Sequence, residues 1–364
     1  MFLICVKKMK IVLLSALIFA ITQTSYGLQV DGLYDHRVAV ANESDAERDR
    51  AFEEAFRAVI LKVTGAIRWL DHPGIEEAIE SAQSYVESIS YVSESIGQND
   101  NFLPSTEQRY IEVSFADSLV EELLAEKGVP IWNSNRPSVL VWMVLQNSFG
   151  EREVLTSDTN PQITAYIQSF AGDRGIPIIF PVLDFEDRQN LSEDDIWSFD
   201  ERKIIEASER YGADSILSGR LLFAAGGDLV GLWQFIFQGE ASIFDGFDED
   251  LESYLHAPLD RVTNQLANYF GIIPAADARQ TVRVRVEGIQ GFGDYSLLIN
   301  YLANLGLVDN ISPVLLDGER LDLELVLVGD SAQLFEIIAL DRDLLPIESS
   351  QVGGRGVLHY KWTR

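Results

Sequence analysis

After position 5 the chain contains no cysteine. Cys5 precedes the apolar run Ile11 to Ile21, so a fold built from the rest has no disulfide and no thiolate-bound metal. Burial of apolar side chains must hold it together. The opening residues also read as an address. Lys7, Lys8 and Lys10 form a positive flank before the run, and Ser25 and Gly27 put small residues three and one before a cut after Gly27. This is the pattern of a secretory signal peptide whose apolar segment is too short to span a bilayer. A lipoprotein would need a cysteine just after that segment. The expected product is a soluble periplasmic protein beginning at Leu28, and removing residues 1–27 from 364 leaves 337. A chain of that size buries ample apolar surface and suggests two or three domains.

The composition is strongly acidic, with 28 basic against 57 acidic residues and a formal net charge of −29. Loss of three lysines with the signal takes this to −32 and leaves only Lys62, Lys127, Lys203 and Lys361. Such a surface repels phosphate backbones and anionic lipid, which argues against a nucleic-acid partner. A solvated acidic shell is the simpler reading, and a cationic partner or calcium the sharper one. Beyond the signal no segment approaches the ~20 apolar residues of a membrane span.

Hydrophobic periodicity divides the mature chain into three modules: residues 28–136, 137–276 and 277–364. In the first, Ser44 and Glu47 suggest a capping box. Phe52, Ala55, Phe56, Val59, Ile60 and Val63 then lie on one helical face that ends at Gly65. Pro73 opens a second helix, strands follow near Tyr85 to Ser95 and Arg109 to Phe115, and Asp117 caps a last helix. The polar stretch Gly97 to Thr106 reads as a loop. The order β-α-α-β-β-α predicts an antiparallel sheet with helices on one face.

In the second module Val139 to Leu145 is almost continuously apolar, as in a strand covered on both faces. Helices are expected from Pro161, near Glu201 to Tyr211, and over Asp250 to Phe270. Strands are expected over Ser215 to Phe223, Leu229 to Phe237 and Ala241 to Phe244. Pro177 and Pro181 mark Ile176 to Leu183 as an edge or broken strand. This is an α/β layer pattern. In the third, Val282, Val284 and Val286 alternate with charged residues, Asp294 is expected to cap a helix, and Asp317-Gly318 marks a turn between two strands. The order β-α-β-β-α predicts a ferredoxin-like module. Gly353, Gly354 and Gly356 read as a flexible segment before Val357 to Trp362. The fold class is thus α+β and α/β in three small layered modules.

Several segments together resemble a known family. They are the helix running into Val63-Thr64-Gly65, Gly128-Val129-Pro130-Ile131-Trp132 with Asn135-Arg136-Pro137, Pro181-Val182-Leu183-Asp184 with Glu186-Asp187, and Arg210-Tyr211-Gly212-Ala213-Asp214. The family is the uncharacterised exported one of Gram-negative bacteria catalogued as domain of unknown function 2066. The resemblance implies export and carries no catalytic residues. Tyr211 to Arg220 is similar to passages in periplasmic α/β modules of the Tol-system propeller protein and the curli secretion lipoprotein. The first module resembles the amino-terminal module of a flagellar T-ring protein. Those relatives bind other envelope proteins, an analogy at the level of fold.

The motifs of catalysis are missing from the sequence. His36, His72, His256 and His359 lack metal-ligand spacing, no serine lies in G-x-S-x-G, and no phosphate loop is present. Gly288, Gly291 and Gly293 read as turn glycines. Asp184, Glu186 and Asp187 follow a strand end, where α/β folds place ligands. Glu193, Asp194, Asp195 and Trp197 come next. Paired carboxylates suit acid–base hydrolysis or calcium, but acids also favour a helix's first turn, and Ser192 looks like an N-cap. Asp245, Asp248, Glu249 and Asp250 have the same helix-terminus reading. Trp132, Arg136 and Pro137 mark the junction of the first two modules. They suggest an interdomain cleft or, as favoured, an aromatic plug with Arg136 pairing a carboxylate.

The sequence therefore points to a non-enzymatic binding or assembly protein of the cell envelope, with no cofactor and with another envelope protein as partner. Candidate binding residues are Trp132, Arg136, Asp184, Glu186, Asp187 and Trp197. The alternatives are a hydrolase using Asp184, Glu186 or Asp187, and a divalent-cation binder.

Overall fold

The computed structural model describes residues 30–96, 106–156, 158–224, 226–273, 279–340, 343–347 and 357–363. The signal segment, most of the polar stretch 97–106 and the glycines at 353, 354 and 356 lie outside the described residues.

The first sheet is antiparallel, with β1 (Asp35–Val40), β2 (Val86–Ile96) and β3 (Thr106–Phe115) in the order β1-β3-β2. Three helices accompany it: α1 (Asp45–Thr64), α2 (Pro73–Glu80) and α3 (Asp117–Glu126). The apolar spacing of α1 buries Phe52, Phe56, Val59, Ile60 and Val63 against Val38, Ile111, Val113 and Phe115. Gly65 ends α1 at φ 67°, a left-handed conformation that costs glycine little. The capping box is only half made. Ser44 accepts from Glu47 N at 3.4 Å, but the Glu47 carboxylate reaches Ala41 N at 3.0 Å. Asp117 is the first helical residue of α3, not its cap.

The second sheet runs β5-β4-β7-β8-β9, with the short β6 beside β4. Its strands are β4 (Val139–Gln146), β5 (Arg152–Val154), β6 (Ile178–Ile179), β7 (Ser215–Phe223), β8 (Leu229–Phe237) and β9 (Glu240–Asp248). β4 and β7 are parallel, and β7, β8 and β9 form an antiparallel meander. One face carries α4 (Pro161–Arg174) and α8 (Leu251–Phe270) over Val141, Met143, Leu217, Trp233 and Phe235. The opposite face carries α5 (Phe185–Asn190), α6 (Glu193–Ser198) and α7 (Glu201–Ser208) over Leu140, Trp142, Ile216 and Ile236. Alternate residues of β4 therefore meet different helices, which is why its sequence is apolar throughout.

The third sheet has the order β11-β12-β10-β14-β13. It comprises β10 (Arg279–Glu287), β11 (Val308–Asp317), β12 (Arg320–Val328), β13 (Leu344–Pro346) and β14 (Leu358–Trp362), with α9 (Phe292–Ala303) and α10 (Ser331–Leu340). β14 pairs in parallel with β10, Val284 opposite Leu358, which completes the ferredoxin-like βαββαβ arrangement. The expected Asp294 cap is displaced. Gly291 stands at the N-cap, and Asp294 accepts from Gln290 N at 2.8 Å.

These layers form an α/β architecture with two main cores and a smaller third. The first module has its own apolar cluster. A second cluster runs without a break from Val141 and Trp233 through Leu255 and Phe270 to Leu323, Ile338 and Trp362. The central and last modules thus share one interior.

Candidate functional site

The candidate residues separate into three local networks. The first is the junction. Trp132 is 1 % exposed, and its backbone N donates to Val63 O at 2.8 Å. A Cβ on Gly65 would lie 2.5 Å from the Trp132 ring, so a glycine is what lets the indole seat against the end of α1. Arg136 is 2 % exposed and does not pair with a carboxylate, contrary to expectation. Its guanidinium donates only to backbone carbonyls: Asn133 O at 2.8 Å, Arg174 O at 2.8 Å, Gly175 O at 3.0 Å, Lys62 O at 2.7 Å and Trp132 O at 2.5 Å. The physical reason is position. Lys62 and Arg174 lie in the last turns of α1 and α4, where carbonyls lack helical partners and the helix dipole is negative. One guanidinium therefore caps two helices from two modules, and it stacks over Trp132 at 4.3 Å. Burial pulls the Arg136 pKa down to about 9, with neighbouring Arg174 acting in the same direction, so the group stays charged at neutral pH.

The second network holds Asp184, Glu186 and Asp187. Asp184 is the N-cap of α5 and accepts from the backbone N of Glu186 and Asp187 at 3.0 and 3.1 Å. Arg210 clasps both its oxygens, at 2.7 and 2.8 Å, and also reaches Asp187 at 2.9 Å. Those Arg210 bonds hold the Asp184 carboxyl far below the usual carboxylate range. Asp187 is 1 % exposed and accepts from Leu183 N at 2.9 Å and from the Tyr211 hydroxyl. Burial, then the Asp187 bond, pushes the Tyr211 phenol up to about 12. Glu186 lies at the rim, 3.7 Å from Arg210. The trio closes a helix start, with its inner oxygens committed. The neighbouring acids behave alike. Asp195 completes a capping box with Ser192 and binds Lys203 at 2.7 Å, and that bond draws it down to about 2. Asp194 pairs with Arg152 at 2.7 Å. Among the described residues no three His, Cys, Asp or Glu side chains are grouped to hold a metal.

The third network contains Trp197 and is open. The short helices α5–α7 cover β4, β7 and the Ile236 end of β8 and leave the rest of this face at β8 and β9 exposed. Along that uncovered face run Arg220 and Leu222 of β7, Val230 and Leu232 of β8, and Ile243, Asp245 and Phe247 of β9. Register sets Arg220, Leu232 and Asp245 in one row and Leu222, Val230 and Phe247 in the next. Val230, Ile243 and Phe247 are 42 %, 59 % and 65 % exposed. With Trp197, the residues of those two rows line a shallow cavity of about 420 Å³. The Arg220 guanidinium donates to Trp197 O at 2.8 Å and lies near the rings of Trp197 and Phe199, at 5.6 and 5.4 Å. Just inside the face, Ser218 Oγ and Gln234 Oε1 are buried without a hydrogen-bond partner among the described residues. The period-two pattern Ile243, Asp245, Phe247, with Phe244 inward, was the available signal for this face. Asp245 and Asp248 are strand residues, and of their cluster Asp250 is the residue that caps α8.

Fold and site together define a layered α/β protein with sealed caps and, on its second sheet, an uncovered face at β8 and β9. The sequence pattern of a family described as "Domain of unknown function (DUF8605)" matches residues 28–133, the first sheet and its helices. The likeness to an uncharacterised family therefore holds, but the matching family is this one and not domain of unknown function 2066. No curated protein matches the chain. A solved structure titled "Crystal structure of uncharacterized protein" is similar at 12 % identity over 36 % of this chain and 95 % of that one, with a TM-score of 0.14. No described helix is long and apolar enough to cross a membrane.

Proposed function

We propose that this is an exported, non-enzymatic protein of the cell envelope that binds another protein through the open face of β8 and β9. The observation that carries the reading is the exposed trio Val230, Ile243 and Phe247 on one sheet face, beside the cavity of Trp197 and Arg220. Contiguous exposed apolar surface with a polar rim is the usual mark of an interaction site. The hydrolase reading loses support because Asp184 and Asp187 serve as cap and clasp. The signal pattern at the start of the chain supports passage to the periplasm and a mature end at Leu28.

Cell fractionation with amino-terminal mass spectrometry tests the address, and a full-length chain retained in the inner membrane would refute it. Crosslinking in intact cells followed by pull-down tests the face: Phe247→Asp should lose a partner that the parent chain captures. Turnover of wall glycans, peptides or phosphoesters that Asp184→Asn abolishes would overturn the binding role.

A further inference from the structure

Resting on that reading, we propose that the outer edge of β9 takes an extended segment of the partner as an added strand, and that this segment alternates basic with apolar residues. Edge strands present unpaired N–H and C=O groups, and proteins blunt them with bulges, prolines or shortness. Several of the described edges here follow that rule, and β9 does not. β5 and β13 have three residues each, β1 has six, β2 carries a bulge, and β11 carries two register shifts and Pro313. β9 pairs with β8 over nine residues without interruption and contains no proline. That run is matched among the described edges by Ser88–Ile96 of β2, also nine pairs in register, but it is β9 that borders the cavity lined by Trp197.

Charge selects the occupant. β9 carries Glu240, Asp245 and Asp248 and no lysine, arginine or histidine, and Glu249 and Asp250 follow. Among the described residues Glu240, Asp245 and Asp248 form no ion pair. A second copy docked antiparallel about Phe244 would set Glu240 against Asp248 twice, and like charges directly opposed destabilise a sheet. In that register the acids oppose a second copy, and they suit a basic strand. On the uncovered face such a strand would place its apolar side chains beside Ile243 and Phe247, and on the opposite face its basic ones beside Glu240 and Asp248. The cavity of about 420 Å³ lined by Trp197 and Leu232 can take one large apolar side chain from it. Main-chain hydrogen bonds would give affinity, and alternate side chains specificity.

The test uses the mature chain and a synthetic nine-residue peptide that alternates lysine with valine around one tryptophan. Binding is read by calorimetry at low and high salt. The expected result is saturable binding that weakens with salt. N-methylation of alternate peptide amides, which removes strand hydrogen bonds, should weaken it at least about tenfold. Glu240→Lys should weaken it while leaving the melting curve unchanged, and a glutamate–valine peptide should not bind the parent chain. Equal binding of the methylated peptide would overturn strand addition. So would sedimentation showing a dimer that Phe247→Asp dissolves, because the occupant would then be a second copy. If no peptide binds but Phe247→Asp still loses its crosslinked partner in cells, strand addition fails and the open-face reading stands. If that variant keeps every partner, both fail.

Discussion

Arg136 and Arg220 sit in opposite kinds of place. At the junction Arg136 is enclosed, and five carbonyls take up its five N–H groups' directions. On the β8–β9 side Arg220 donates to Trp197 O beside a cavity that opens to solvent. The junction is rich in sequence landmarks: a tryptophan, an arginine and two prolines within a short stretch. The open face has few. Conspicuous residues here mark where the protein is locked, whereas its accessible surface is written in ordinary valine, isoleucine and phenylalanine.

The contrast is broken or sharpened most strongly by Arg136→Leu. Each buried acceptor left dry costs about 1–3 kcal/mol, so losing the donors to most of five should exceed about 5 kcal/mol. Denaturant melting of the mature chain checks this, and a loss near zero would mean that the helix ends find other partners. Trp132→Ala comes next, at about 3–5 kcal/mol for an enclosed aromatic. Limited proteolysis should then cut between Gly128 and Pro137, where the parent chain resists; equal resistance would remove the indole as a lock. Asp187→Ala strands Leu183 N and the Tyr211 hydroxyl and should cost about 2–3 kcal/mol, with the α5 region exchanging amide protons faster.

Acid should act on the same caps. The folded-state pKa values of Asp184 and Asp195 lie below their unfolded values. Their contribution is therefore complete above about pH 4, near the unfolded carboxylate value, and is lost as pH falls toward and below about 2. Melting temperature between pH 5 and pH 2, in parent and Asp184→Asn chains, reports it: the variant should lose less on acidification. Smallest is Phe247→Ser. On an exposed strand position it should move stability by less than about 0.5 kcal/mol while weakening partner capture. A large destabilisation would show that the face is covered in solution.

Much of the fold was legible because its signals are local. The offsets along α1, the alternation of Val282, Val284 and Val286, and the apolar run of β4 each encode which sides are buried. What stayed hidden depends on distant or anonymous partners. β14 is set beside β10 across more than 70 residues, and nothing in Leu358–Trp362 names its neighbour. β5, α5 and α6 are too short to show a period. β9 extends beyond the expected Phe244 because Asp245, Gly246 and Asp248 look like turn chemistry until the sheet pairs them. Arg136 was expected to seek a carboxylate; backbone carbonyls carry no residue identity, so the sequence could not advertise two helix ends converging there. Of the acids, the capping role was readable from Ser192, but Arg210 clasps Asp184 from 26 positions away.

The shared interior of the second and third sheets sets an order of events during synthesis. The first module owns its apolar cluster and can close on itself while later residues are still being made. The rest cannot. Leu358, Tyr360 and Trp362 belong to the same interior as Val141 and Trp233, and their strand is inserted between β10 and β13. Until that segment emerges, the flank of β10 and part of the interior remain uncovered. A nascent chain stalled before Leu358 should therefore hold a finished head and an unfinished body, the body being the part that chaperones would have to shelter.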